Sequence, residues 1–166
     1  MKTIIVIKKG KIVETRNPKI VLSLANRIKK DLKPFSNKIE IVGSIRRKKP
    51  NPTDIDILII PKDKEKILNY LQKIGIPVSI GDKQLKFKIN KIEVEIYFAL
   101  EKTWGAMLLA YTGPSGSEIG LRIIAKNKGM LLNQYGLYKN KKRVAGKTEI
   151  SIYRALGKNY KAPEIR

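Results

Sequence analysis

Along the first hundred residues the apolar positions fall at two distinct periods. Val21, Leu24, Ala25, Ile28 and Leu32 recur at three- and four-residue steps, the spacing of one helix face. Asn17 and Pro18 supply an N-cap and a first helical residue in front of them, and Pro34 closes the segment. A second helix starts at Asp63, carries Ile67, Tyr70, Leu71 and Ile74 on its apolar face, and ends at Gly75 and Pro77. Between and around these lie β-prone runs. Thr3–Ile7 and Lys11–Glu14 flank Lys9-Gly10 as a hairpin, and strands are predicted at Ile39–Gly43, Asp54–Ile60, Leu85–Ile89 and Ile92–Phe98. Ser44–Thr53 is predicted as a loop. After Thr103 the pattern changes to a helix reaching Tyr111, a break at Thr112-Gly113-Pro114, and a helix from Ser117 to Lys128. A turn at Asn133–Gly136 and a helix from Thr148 to Leu156, stopped by Gly157, complete the chain.

This succession predicts an α+β protein. A mixed sheet with helices occupies residues 1–101, and a smaller, basic α+β subdomain occupies residues 102–166. With 166 residues, 42% of them hydrophobic, the chain can bury such a core. Charge then changes the picture. Thirty-six basic residues against fourteen acidic ones leave a net +22, and the stretch after Glu118 holds 12 basic residues against 2 acidic. A polyanion is the partner that such a balance suits, nucleic acid above all. Neither a basic amphipathic helix with a bulky aromatic face nor a membrane-length apolar run is present, so no membrane partner is expected. The apolar stretch at the N-terminus is too short for a signal peptide, which predicts an intracellular protein, cytoplasmic or viral. The chain has no Cys and no His, which excludes thiol nucleophiles, Cys/His zinc sites and histidine acid–base chemistry. Any metal must sit on oxygen ligands, which points to Mg²⁺, with Mn²⁺ as a substitute.

The candidate chemistry starts with Asp54 and Asp56, two apart on a predicted strand and therefore on one face, while Ile55, Ile57 and Ile59 take the other. Two carboxylates so close repel, and a divalent cation relieves the repulsion. A lone Asp-x-Asp also fits two solvated residues at a strand start. Glu93 and Glu95 form a second same-face pair on a later strand, which fits either a contribution to the same site or a solvent-facing pair matched to lysines. Upstream, Gly43-Ser44-Ile45-Arg46-Arg47 combines a glycine that permits close backbone approach to an anion with a hydroxyl and a guanidinium fork.

Gly-Ser-x-Arg-Arg followed by Asp-x-Asp-x-Leu-Ile, the first Asp eleven residues after the Gly, resembles the signature of the nucleotidyltransferase superfamily. Its Arg-Arg form resembles the family X DNA polymerases in their minimal version, a palm with a C-terminal subdomain. Tyr111-Thr112-Gly113 is similar to the family's aromatic-Thr-Gly element, Leu132–Tyr138 to its Asn-Gln/Glu-Tyr turn, and Tyr160-Lys161-Ala162-Pro163 to its closing Tyr-x-x-Pro. The likeness runs from about residue 38 to the C-terminus. The family interval of eighteen residues before the Gly of that element selects Glu95 over Glu93, and nine residues after it stands Arg122.

The resemblance implies a template-directed DNA polymerase that adds deoxynucleotides to a primer 3′-hydroxyl. Asp54, Asp56 and Glu95 would be catalytic and would hold two Mg²⁺ ions. Gly43, Ser44 and Arg47 would bind the triphosphate, and Tyr111, Thr112 and Gly113 the sugar. Arg122, Lys126, Lys128, Asn133, Gln134 and Tyr135 would face DNA. The implied substrate is a gapped or nicked duplex with dNTPs, in gap filling for base excision repair, by a monomer with a DNA ligase as repair partner. No lyase activity is expected. The family also implies a cis peptide at Gly113-Pro114. Three departures stand out: Glu95 replaces the usual Asp, Ala110 replaces a large residue and implies weaker rejection of ribonucleotides, and Pro52-Thr53 replace small residues. Two other functions compete. A template-independent nucleotidyltransferase acting on RNA, protein or a small molecule would not need the basic tail. A non-catalytic nucleic-acid binding protein would not need all three carboxylates.

Overall fold

The computed structural model describes residues 17–166 in full and, before them, the backbone of residues 4–8 and 11–15. Those two segments, β1 (Ile4–Lys8) and β2 (Lys11–Thr15), pair antiparallel as the sequence pattern predicts, and the Lys9-Gly10 turn lies outside the described residues.

Helix α1 (Pro18–Leu32) begins where its cap demands. The Asn17 side chain accepts a hydrogen bond from the Lys19 amide, and Pro18 occupies the first turn, where its missing N–H costs nothing. Val21, Leu24, Ala25, Ile28 and Leu32 are all buried. Helix α3 (Lys64–Ile74) is capped in the same way by Asp63, which accepts from the Lys66 amide, and it buries Ile67 and Leu71. Both helices cover one face of a five-stranded sheet of order β3-β4-β7-β6-β5, in which β3 is Ser36–Ile41, β4 Ile55–Pro61, β5 Ile76–Ile80, β6 Gln84–Ile89 and β7 Ile92–Phe98. Strands β4 and β7 run parallel, and every other pairing is antiparallel. Ile55, Ile57 and Ile59 of β4 and Val94 and Ile96 of β7 point toward α1 and α3. The alternate residues Leu58, Ile60 and Tyr97 point the other way, against Met107, Trp104, Leu108 and Tyr111 of helix α4 (Trp104–Thr112).

Helix α4 joins two cores. Its Ala106 and Leu109 face a second cluster built from Leu121 and Ala125 of α5 (Ser115–Asn127), Leu132, Leu137, and Ile152, Tyr153 and Leu156 around α6 (Glu149–Ala155). A small antiparallel sheet of order β10-β9-β8 completes this part, with β8 Met130–Asn133, β9 Gly136–Lys139 and β10 Lys142–Ala145. Among the described residues no helix is long and apolar enough to cross a membrane.

The structure departs from the predicted elements in four places. Residues 43–46, predicted partly as strand and partly as loop, form the short helix α2 (Gly43–Arg46), which Gly43 enters at a positive φ of 64°. Asp54 lies in a bend just before β4 rather than within it. Strand β5 is not among the predicted elements, because Gly75 and Pro77 read as the stop of the preceding helix; an edge strand, here fully exposed, tolerates the proline. Strands β8, β9 and β10, four residues each, are too short to register as a pattern.

Candidate active site

The Asp-x-Asp segment, α2 and the end of α4 converge on an open pocket of about 430 Å³. Gly43, Ser44 and Arg47 line one side, Asp54 and Asp56 another, and Tyr111, Thr112 and Gly113 a third, with Ala110 and Pro114 beside them. Eight of the nine residues expected to bind metal or nucleotide thus share one cavity. The close approach of α2 to β4 explains the glycine: a Cβ on Gly43 would run into the Asp56 carboxylate. The Gly113-Pro114 bond is cis, as the resemblance implies.

Polar groups in the pocket are fixed from behind. The Arg47 guanidinium donates to the Thr112 carbonyl, which ties α2 to the end of α4. Burial lowers the Arg47 pKa, while the charges of Asp56 and Asp54 act in the opposite sense, so the cation and both carboxylates share one field. A guanidinium remains protonated under such a shift. The Ser44 hydroxyl and Arg47 Nε are buried without a hydrogen-bond partner among the described residues, two donors poised for an oxygen-rich ligand.

Glu95 stands apart from this lining. The parallel register places it directly opposite Asp56, but its side chain turns to three donors: Lys86 Nζ at 3.0 Å, Gln84 Nε2 at 2.7 Å and the Tyr97 hydroxyl at 2.5 Å. Hydrogen bonds to Glu95 and then Glu93 hold the Lys86 ammonium above its ordinary pKa. Glu93 is the more exposed of the pair, at 50% against 22% for Glu95. Among the described residues no three acidic side chains gather closely enough to cage a metal ion as they are placed. The chemistry of the donor set nonetheless suits one. Asp54 and Asp56 supply hard oxygen atoms to the pocket, Glu95 is one strand away, and Gly43 leaves the Asp56 carboxylate room.

Of the residues expected to face DNA, Arg122 is half-exposed on α5 and paired with Glu118 one turn earlier. Lys126 is exposed near the end of the same helix and Lys128 follows at its C-cap. The Asn133 side chain accepts from the Tyr135 amide at 2.8 Å and shapes the β8–β9 turn that holds Gln134. Tyr135 reaches across to the β5–β6 turn, where Lys83 Nζ sits 3.4 Å from its hydroxyl and 5.4 Å from its ring centre. Lys126 and Asn133 share a second groove, which has no lining residue in common with the first, with Tyr138 and Lys141.

Two features escaped the sequence. Arg46, the first arginine of the pair, forms a two-pronged ion pair with Glu149 of α6 at 2.9 and 2.7 Å and bonds the Thr112 hydroxyl at 2.7 Å. Glu149 also accepts from Arg166 at 2.8 Å and from the Tyr160 hydroxyl at 3.2 Å. Burial works against ionisation of Glu149, yet Arg46 and Arg166 prevail and hold its carboxyl below the usual range. The second feature is Tyr97, whose ring stacks on Tyr111 with centres 3.8 Å apart. Burial first, then its bond to Glu95, raises the Tyr97 hydroxyl far above the usual phenol range. Tyr97 lies two residues beyond Glu95 on an alternating strand, which is the signal that could have placed it on the same face. Nothing local marks Glu149.

Known proteins resemble the chain along most of its length. The family described as DNA polymerase beta thumb matches residues 107–166. A "Repair DNA polymerase X" of African swine fever virus, from a Warthog/Namibia isolate, is 33% identical over 147 residues, which cover 81% of this chain and 84% of the relative. Its counterpart from a Pig/Kenya isolate is 30% identical over 169 residues, covering 92% and 97%. Among solved structures, Leishmania infantum polymerase beta in a ternary P/T complex matches with a TM-score of 0.78 at 20% identity, over 92% of this chain and 77% of that one. At that identity the likeness speaks for the fold alone.

Proposed function

The chain belongs to the family X DNA polymerases, and we propose that it fills gaps in duplex DNA by template-directed addition of dNTPs to a primer 3′-hydroxyl. Its class, a DNA polymerase of the repair type that depends on divalent metal, follows from its relatives. The substrate, the residues and their roles are the proposal. One observation carries it: α2, the Asp-x-Asp segment and the end of α4, which are far apart in sequence, line one pocket that brings Ser44 and Arg47 together with Asp54 and Asp56.

In this reading residues 1–101 form the palm and 102–166 the subdomain that grips nucleotide and DNA. Asp54, Asp56 and Glu95 would hold two Mg²⁺ ions. When bound, such ions lower the pKa of the attacking hydroxyl and neutralise charge on the triphosphate. The remaining work belongs to the chain. Ser44 and the Arg47 fork hold β- and γ-phosphate oxygens and stabilise the negative charge that grows on the departing pyrophosphate. Arg47 is kept in place by the Thr112 carbonyl, so the group that binds phosphate also fixes the segment that positions the sugar. Tyr111, Thr112 and Gly113 lie against the sugar, and the Tyr97 ring beneath Tyr111 prevents it from tilting. The primer hydroxyl gives up its proton to solvent and attacks the α-phosphorus, a P–O bond forms to the primer, and the α–β bridge P–O bond breaks to release pyrophosphate. Arg122, Lys126, Lys128, Asn133, Gln134 and Tyr135 contact the DNA backbone, which positions the duplex without reading sequence. The enzyme acts as a monomer and leaves a nick for a DNA ligase.

A labelled primer on a gapped template, with Mg²⁺ and each dNTP in turn, tests this reading. Extension only by the nucleotide complementary to the template supports it. Untemplated extension indicates a tailing nucleotidyltransferase, and a mobility shift without extension indicates a binding protein; either result rejects the proposal.

A further inference from the structure

The mechanism above leaves the buried Tyr97 hydroxyl unused. Tyr97 is only 9% exposed, and its ring is packed among Val42, Leu58, Ile60 and Met107. Hydrophobic contact accounts for the ring but not for the hydroxyl, which lies between two carboxylates on adjacent strands, 2.5 Å from Glu95 Oε2 and 3.4 Å from Asp56 Oδ1. A phenol has one proton to donate. The distances say that Glu95 receives it and that Asp56 lies at the outer limit of a bond. Strand geometry makes the arrangement unavoidable. Glu95 and Tyr97 are two apart on β7, so they share a face, and the parallel register sets Asp56 beside Glu95 on that face. On the opposite side of the tyrosine, its ring lies nearly parallel to that of Tyr111, 19° between planes. One side chain therefore touches both candidate ligand carboxylates and the element that positions the nucleotide sugar.

We infer that Tyr97 is a positioning residue for nucleotidyl transfer: its hydroxyl orients the Glu95 carboxylate beside Asp56, and its ring sets Tyr111 at a fixed distance from them. The inference rests on the reading of Asp56 and Glu95 as metal ligands. Carboxylates that bind a metal need their orientation held by hydrogen bonds from behind, and losing such a partner weakens metal binding or activity by about 10- to 100-fold. Glu95 needs this support more than an aspartate would, because its extra methylene adds a rotatable bond. Gln84 and Lys86 also hold Glu95, but from more exposed positions on β6.

Two substitutions separate the hydroxyl from the ring. Tyr97→Phe removes only the oxygen, and Tyr97→Leu removes the stack as well. The experiment titrates Mn²⁺ into the full chain without DNA or nucleotide, following free Mn²⁺ by electron paramagnetic resonance, for wild type, both Tyr97 variants, Asp56→Asn and Glu95→Gln. Single-turnover incorporation is measured beside it as a function of metal and of nucleotide. Tyr97→Phe is expected to bind Mn²⁺ about tenfold more weakly, to need correspondingly more metal for half-maximal incorporation, and to keep its nucleotide KM and Tm. Tyr97→Leu is expected to raise the nucleotide KM in addition. If Asp56→Asn and Glu95→Gln lose Mn²⁺ while Tyr97→Phe binds it as wild type does, the positioning role is overturned and the ligand reading stands. If neither carboxylate variant affects Mn²⁺ binding, the ligand reading fails and takes the inference with it. A Tyr97→Phe protein with a lower Tm and unchanged Mn²⁺ affinity assigns the hydroxyl to stability alone and also overturns the inference. Equal nucleotide KM values for the Phe and Leu variants overturn the role of the ring.

Discussion

Gly43 shows how a single residue is constrained by its surroundings. Its φ of 64° favours glycine, and its missing side chain gives the Asp56 carboxylate its place. Gly43→Ala should therefore displace Asp56 and lower kcat by more than tenfold, since a catalytic group moved by about 1 Å can cost a hundredfold. Circular dichroism should show the fold intact; an alanine variant with wild-type kcat would mean that the approach is not needed. The carboxylates themselves allow a sharper comparison. Asp54→Ala, Asp56→Ala and Glu95→Ala should each abolish incorporation while a gel shift shows DNA binding retained, because the basic surface is untouched. Glu93→Ala should incorporate at nearly the wild-type rate, as expected of the half-exposed partner of Lys86. Loss of activity in Glu93→Ala with retention in Glu95→Ala would reverse the assignment.

Elements are tied together at the site by ion pairs rather than by apolar contact alone. Arg46 of α2, Glu149 of α6 and Arg166 near the C-terminus form a connected set in which Glu149 is 6% exposed and the Arg166 side chain is fully buried. Removing Glu149 leaves both arginines without their counter-charge, which costs about 3–5 kcal/mol. Glu149→Ala should lower Tm by roughly 10 °C in a chain of this length. It should also raise the nucleotide KM, because Arg46 holds the Thr112 hydroxyl. The pH dependence has a definite sign. The folded carboxyl titrates below its ordinary value of 4.5, so its stabilisation is complete above pH 4.5 and is lost as pH falls through the depressed folded value. Denaturant melts of wild type and Glu149→Gln should converge on acidification over that range. A gap between them that stays constant from neutral pH to well below 4.5 would exclude an ionised Glu149.

For the whole molecule, charge outweighs any single contact. With a net +22 and a basic C-terminal third, affinity for DNA should be dominated by release of counterions from phosphate. The log of the affinity should fall linearly with log salt at a slope near −0.9 per phosphate contacted, or about −5 for six contacts. Fluorescence anisotropy on a gapped duplex at several salt concentrations measures this slope, and a value near zero would rule out the proposed DNA face. Reversing Arg122, Lys126 and Lys128 to Glu should flatten it by about three contacts' worth.

Much of this protein is determined locally. Caps and periodicity mark α1 and α3, alternation marks β4 and β7, and Gly43-Ser44, Asp54-x-Asp56 and Tyr111-Thr112-Gly113 can each be read within a few residues. Local signals of this kind report which face of an element is buried and where it ends, because those are set by backbone geometry and by the nearest side chains. They carry no information about partners distant in sequence. The parallel register that sets Glu95 opposite Asp56, the stack of Tyr97 on Tyr111 and the Arg46–Glu149 pair, 103 residues apart, arise only when helices and strands pack. Strand β5 belongs with them, since Gly75 and Pro77 read locally as a helix stop and the strand forms where β6 offers it hydrogen bonds. The sequence alone thus determined the chemical groups and their elements, whereas tertiary packing decided which groups meet, because burial and pairing over long separations are properties of the assembled cores.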